Sequence, residues 1–517
     1  MSPLPRAPQF DGDILRYPPG DGTELVATNE AALAIGELFG RPLAEIRQSA
    51  RLELSQQAAT WTSLLRGTPV DTPQAPCWIV GGHQPDLFHP GVWIKNAVIS
   101  QLSRKLAAVP LNLVVNTDLS TTSSIPLPSR DARSAPQNLA WDHPRAAVPW
   151  EERITPDREL FRSFGDRCQT ALQAWGWTPL AAEMDWERFD DWPVVDRLAG
   201  IRHRWEVTHG IENLELKSST WADSISFRWF AWQLLSRAGE FHTAYNRALC
   251  EYREENRLRS RSHPVPPLET VGNAVEVPLW VWRSGERHRS RLFVETIAGR
   301  LRLTDGARVV GELPLPNVTA QRSIEDSWYK LEAAGWKLRP RALMTTLAMR
   351  MCVASVFVHG IGGAKYDQMT DRIIISFFHR QPPQIIVATA TERLFESFAG
   401  PPIAEPMIAL KAKLRQFRWN PERLLESRSD AADLLARKRQ LIAAKGDNPL
   451  DRTVRHERLQ VINSQLRARL VPDVAEWTAQ LEELTNRRPR DQSLRSREYS
   501  SVLFPAERIV QLFQRVR

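Results

Sequence analysis

The chain has 517 residues, 42% hydrophobic and 25% charged, which excludes a disordered polymer and leaves room for two or three domains with sizeable cores. Its formal charge of +8 comes from 68 basic and 60 acidic residues interleaved along the chain, so it reads as a weak attraction for anionic ligands, and nucleic acid is not an expected partner. Four widely spaced cysteines exclude a zinc knuckle or disulfide framework, and Arg339, Arg341 and Arg350 interrupt the longest apolar stretch, which excludes a membrane span.

The first residues, MSPLPRAPQFDGDILRYPPG, hold no apolar run behind a basic stretch, so no secretory leader is read and a cytoplasmic protein is expected. Apolar residues at helical spacing over 30–67, among them Leu33, Ile46, Leu54 and Leu64, predict two lead helices in an N-terminal segment, 1–75. A strand over 77–80, the turn-rich loop GGHQPDLFHPG, an apolar-periodic helix over 92–106 and a buried strand over 111–115 follow. That order is βαβ and implies a parallel sheet, the first part of a core over 76–120.

From 121 to 210 the sequence is rich in Pro, Ser and Trp and reads as an insertion, with Trp175, Trp177, Trp186 and Trp192 expected to pack under loops. A strand over 211–217 and helices over 221–236 and 240–258 return to the core, in a segment placed at 211–262. The alternating runs VEVPLWVWR, SRLFVETIA, LRLTD and ARVVGELPLP predict a small antiparallel sheet within an insertion over 263–320. A helix over 342–352, a strand over 353–358, a glycine turn, a second helix and a strand over 385–388 form the second part of the core, 321–400.

In the last segment, 401–517, Leu424, Ala431, Leu435 and Ile442 share one face before GDNP. Leu459, Leu466, Leu470, Val474, Trp477, Leu481 and Leu484 share one after it. Gly446 and Pro449 supply the stop and turn of an antiparallel helical hairpin with coiled-coil packing. Its apolar face would either form a homodimer or pack back on its own core. The expected class is therefore α/β: a Rossmann-like, doubly wound core split by insertions, with a C-terminal antiparallel helical hairpin.

Open α/β sheets bind ligands at the carboxyl ends of their strands, which singles out residues 81–91. There Gly82 and Gly91 would let a ligand approach the backbone and the helix start would attract an anion, with Gln84 and Lys95 within reach of it. His83 and His89 offer imidazoles for proton transfer or for a phosphate oxygen; with only Asp86 between them they lack a third ligand, so no metal is expected. Asp118 ends the second strand as a base or hydroxyl acceptor with Asn116 beside it, loop capping being the alternative for both. The second glycine loop runs from His359 to Asp367. Its amides at Gly360, Gly362 and Gly363, together with His359, Lys365, Tyr366 and Asp367, would suit a phosphate or carboxylate.

His89-Pro-Gly91 resembles the His-x-Gly-His signature of nucleotidylyltransferases, with Val92 where the second histidine stands. Gln84-Pro-Asp-Leu-Phe, Gly91 and Lys95 resemble the Gln-Pro-Gly-Leu loop and following lysine of the BshC family, the bacillithiol-synthesis cysteine-adding enzymes. The strand ending at Asp118 resembles a family strand that closes on an acidic stretch, although LSTT follows here. LRPRALMTTLAMRMCVASVFVHGIGGAKY resembles the family's helix, strand and Gly-Gly-Pro-Gly-Glu loop, with Ala364 and Lys365 in place of Pro-Gly-Glu.

The resemblance implies a Rossmann-like core, connecting-peptide insertions and a coiled-coil domain that mediates dimerisation. It also implies the joining of cysteine, or a similar amino compound, to a sugar acid such as glucosaminyl-malate in low-molecular-weight thiol synthesis. The expected enzyme holds a small anionic substrate between the two glycine loops, with His83, His89 and Asp118 moving protons. The cofactor stays open, ATP or ADP being the expected class. A nucleotidylyltransferase-like transferase and a non-catalytic scaffold or RNA-binding protein are the alternatives.

Overall fold

The computed structural model describes residues 5–130, 136–154, 157–189, 191–260, 262–316, 321–443 and 449–516. The chain divides into two compact units, one formed by Met1–Leu127, Pro136–Glu392 and Arg497–Arg517, the other by Pro128–Ala135 and Arg393–Ser496. The first mixes helices and sheets; the second is helical.

The α/β unit is organised on a six-stranded sheet: β1 (Ile14–Tyr17), β2 (Trp78–His83), β3 (Val109–Val114), β4 (Leu214–Lys217), β5 (Val356–His359) and β6 (Ile386–Ala390). Their order is β1-β6-β5-β2-β3-β4. All neighbours pair in parallel except β1, which runs antiparallel to β6. The earliest parallel strand in the sequence, β2, is thus central, and the chain adds β3 and β4 on one side before returning to add β5 and β6 on the other.

The central strands β2 and β5 present apolar residues to both faces, as a sheet covered on both sides requires. Trp78 and Val80 of β2 join a core with Leu111, Leu216, Leu54, Leu347 and Ile373, whereas Ile79 joins a second core with Ile94, Ile99, Val358 and Leu512. These cores hold the helices α1 (Leu43–Arg66), α2 (Pro90–Leu106), α4 (Ala342–Cys352) and α5 (Ile361–Phe378) against the sheet and each other, and α3 (Val194–Thr208) packs on α1.

The alternating runs after residue 270 form consecutive antiparallel strands, Thr270–Val271, Ala274–Arg283, Ser290–Ile297, Arg300–Thr304 and Val309–Pro314. A sixth strand, Trp336–Pro340, pairs with Ala274–Arg283 and comes from beyond residue 320. In the Trp-rich stretch Trp175 and Trp186 are buried. Phe161 and Phe164 meet the Trp186 ring edge-on, so this tryptophan packs under loops.

The helical unit holds α6 (Ala404–Trp419), α7 (Ala432–Ala443), α8 (Pro449–Ala468) and α9 (Val471–Leu494). Helix α6 packs on α9 and α7 on α8, around Leu425, Ala431, Leu435, Ile462, Leu466 and Leu470. The periodic run after GDNP is therefore two helices, not one arm of a hairpin. Pro472 lacks the N–H an interior position needs and serves instead at the start of α9. Ile442, expected on the inner face, is 60% exposed. Gly446 lies outside the described residues. Residues Arg497–Arg517, read from sequence as part of the hairpin, belong to the α/β unit, because helix α10 (Ala506–Gln514) buries Ile509 and Leu512 there and packs on α2. Among the described residues no helix is long and apolar enough to cross a membrane.

Candidate functional site

β2 and β5 are neighbours, yet the chain departs from them toward opposite halves of the sheet, an arrangement that opens a crevice at the carboxyl ends of an open parallel sheet. His83 closes β2 and His359 closes β5. Val358 pairs with Gly81, which sets His359 level with Gly82.

The glycines of the first loop serve close packing. A Cβ on Gly82 would lie 2.4 Å from the Leu113 carbonyl oxygen, and one on Gly91 2.5 Å from that of Ala390. These positions let β2 pair with β3 and let α2 approach β6, so the space beside them is filled by protein and not left for a ligand.

His89 is the N-cap of α2: its Nδ1 accepts a hydrogen bond from the Gly91 amide at 3.1 Å, and Pro90 takes the first helical turn. Burial, followed by the charges of Arg497 and Lys95, pushes its pKa down to about 4. His83 meets the Phe88 ring edge-on, and burial with the Lys95 charge pushes it down to about 3. Both rings are therefore neutral at physiological pH. Lys95 is buried and donates to the Gly82 carbonyl oxygen at 2.7 Å, and burial pushes its ammonium down to about 8. It ties α2 to the end of β2 instead of reaching out toward an anion.

On the β3 side, Asp118 accepts from Gln84 Nε2 at 3.0 Å through one oxygen and from Arg289 Nη1 at 3.1 Å through the other. Arg289 also donates from Nη1 to the Thr117 carbonyl oxygen and stacks over Trp280, with Arg341 over the same indole. Among the described residues no hydrogen bond uses its Nε or Nη2, the donors a carboxylate or phosphate would take. Asp118 is thus a clamp for Arg289 and Gln84, and its two engaged oxygens replace the expected free base. Asn116 is buried, accepting from Ser218 Oγ and Ser219 N and donating to Ser219 Oγ; it ties β3 to the segment after β4.

Behind this edge sits a buried ion network. Arg202 of α3 donates to Glu206 at 2.6 Å and to both oxygens of Glu215 at 3.0 and 2.7 Å. Trp93, Asn96 and Asn112 donate to the same carboxylates. His203, Glu206 and Glu215 bring ligand-type atoms within 4.8 Å of one another, and the Arg202 guanidinium already occupies both carboxylates, one positive charge against their two. A cavity of about 20 Å³, room for a single water, lies among His83, Gln84, Asp86, Asn96, Asn112 and Arg202.

The second glycine segment is a helix start. Gly360 is the N-cap of α5, which places Gly362, Gly363, Lys365, Tyr366 and Asp367 inside the helix, because Ala364, Met369, Ile373 and Ile374 give the run one buried face from its first turn. Nothing lies within 4 Å of where a Cβ would stand on Gly360 or Gly362. Lys365 and Tyr366 are exposed.

Asp367 is buried and takes Arg350 Nη1 at 2.7 Å and His359 Nε2 at 3.1 Å on one oxygen, while Arg350 Nη2 reaches Asp371 at 2.6 Å. Burial would push the Asp367 carboxyl up, but Arg350 and His359 outweigh it and hold it down to about 2. An ionised carboxylate here repels an anion, so Asp367 orients His359 and does not join an anion cradle.

Sequence reasoning missed Arg289, Arg350 and the Arg202 network. For Arg350 the only signal was an arginine inside an apolar helix, and Arg289 carried none. Comparison with known proteins finds no protein family and no curated protein that matches the chain.

Proposed function

We propose that the crevice between β2 and β5 is the active site of a ligase, a Rossmann-like and doubly wound enzyme of the BshC type that joins cysteine or a similar amino compound to a sugar acid such as glucosaminyl-malate. The observation that carries this reading is the strand order. The central position of the first parallel strand creates a reversal point between β2 and β5, where such sheets bind small molecules. At that edge lie Arg289, whose Nε and Nη2 make no hydrogen bond among the described residues and suit a carboxylate, and the start of α5, whose amides suit a phosphate or a second carboxylate. ATP or ADP is the cofactor class this reading includes, and the helical unit is the surface through which two copies would pair.

The test is calorimetric titration of the full chain with glucosaminyl-malate, cysteine and ATP, repeated on Arg289→Ala. Sugar-acid binding weakened about 10- to 100-fold in the variant, the loss of a charged hydrogen bond or two, supports the reading. Wild-type protein that binds none of the three overturns it.

A further inference from the structure

We propose that His359 is the proton acceptor of this crevice, acting through Nδ1, with Asp367 as its positioning residue; the inference rests on the crevice being the active site. His359 is the last residue of β5, at the reversal point, and its two ring nitrogens have unlike surroundings. Nε2 faces the ionised Asp367 at 3.1 Å and therefore carries the ring proton, which leaves the lone pair on Nδ1. Among the described residues Nδ1 has no hydrogen-bond partner. It lies against the first turn of α5, where a Cβ on Gly363 would come within 2.7 Å of it. Any side chain at 363 would cover that nitrogen, and the flanking Gly360 and Gly362 have nothing within 4 Å on their open side.

Arg350 faces two carboxylates, Asp367 and Asp371, and Asp367 also faces the ring. His83 and His89, in contrast, lie near Lys95, and among the described residues neither has a carboxylate partner.

The step is a proton transfer from the amine, thiol or hydroxyl of the attacking substrate. The N–H, S–H or O–H bond breaks, its electron pair stays on the nucleophile, and the proton joins the Nδ1 lone pair, giving an imidazolium whose Nε2–H remains on Asp367. Arg350 holds Asp367 in place and takes no proton. The substrate class implied at this position is a nucleophile that still carries its N–H, S–H or O–H proton.

Carbethoxylation by diethyl pyrocarbonate, mapped by peptide mass spectrometry on the native full chain, tests this without any substrate, because the reagent needs an unprotonated and reachable ring nitrogen. His359 is expected to react, Asp367→Asn to slow it roughly tenfold or more, as expected for loss of one charged hydrogen bond, and Asp367→Glu to restore part of the rate. Nitrogen NMR of histidine-labelled wild type, which needs no variant to fold, should show the Nε2–H tautomer at His359. An inert His359 in the native protein, an Nδ1–H tautomer, or an unchanged rate in folded Asp367→Asn overturns the inference. Sugar-acid binding that persists with an inert His359 removes this inference alone. A reactive, Asp367-dependent His359 in a protein that binds no sugar acid removes the ligase reading and leaves the proton acceptor standing.

Discussion

Lowering the pH should destabilise the α/β unit through His83 and His89, and the structure gives the size of the effect. In an unfolded chain both imidazoles bind protons near pH ~6.5. In the fold burial, with the nearby charges of Lys95 and Arg497, holds them to about 3 and about 4. The folded values lie below the unfolded one, so the unfolded chain takes up the extra protons. Their contribution is full above ~6.5 and is lost as pH falls toward 4 and then 3. Between about pH 7 and about pH 5.5 each histidine should remove ~1.3 kcal/mol, ~2.5 kcal/mol for the pair. Lys95, held to about 8, completes its own change above this window and adds almost nothing within it. Urea unfolding followed by tryptophan fluorescence at the two pH values measures the difference. In His83→Gln/His89→Asn, where Asn keeps a side-chain acceptor for the α2 N-cap, most of the ~2.5 kcal/mol should vanish. An equal pH dependence in wild type and double variant would refute the assignment of the effect to these two rings.

Further outcomes follow from the same geometry. Arg202→Met strands Glu206 and Glu215 as buried carboxylates, and a loss of ~3–5 kcal/mol in denaturant unfolding is expected; an unchanged midpoint would show that the network does not hold charge as described. Gly82→Ala drives a Cβ into the Leu113 carbonyl and should destabilise by ~1–3 kcal/mol or more, whereas Gly360→Ala, with open space around it, should leave the melting temperature within a degree or two of wild type. His89→Ala removes a helix cap and should lower stability by ~1 kcal/mol while ligand binding, read by calorimetry, is retained; loss of binding with intact stability would return His89 to the site.

Much of the α/β unit was legible because its strands are short apolar runs and its helices start at clear boundaries. Trp78, Val80, Leu111 and Leu113 announce buried strands whatever follows them, and Pro90 marks the start of α2. Strand order was not legible: nothing local in VEVPLWVWR or SVFVH says which strand each will pair with, since pairing is settled by contacts far apart in the chain. The glycines misled for a related reason. A glycine that admits a ligand and one that admits a neighbouring carbonyl look alike in sequence, and at Gly82 and Gly91 the neighbour is protein. Pro472 was overlooked because the apolar spacing runs straight through it.

Three of the expected chemical residues turn out to hold the framework, and the reason is electrostatic. A polar group placed where a strand ends beneath a helix must find a partner or lose its hydration without return. Lys95 finds the Gly82 carbonyl, His89 the Gly91 amide and Asn116 the serines after β4, each a local solution that ties two elements together. Arg289 and His359 are also held on one side: Asp118 takes Nη1 of the first, Asp367 takes Nε2 of the second. Half-satisfied groups of this kind are held in position by the protein yet still able to bind. The two belong to remote segments, one just before the Ser290–Ile297 strand and one at the tip of β5, so neither segment alone would carry the site.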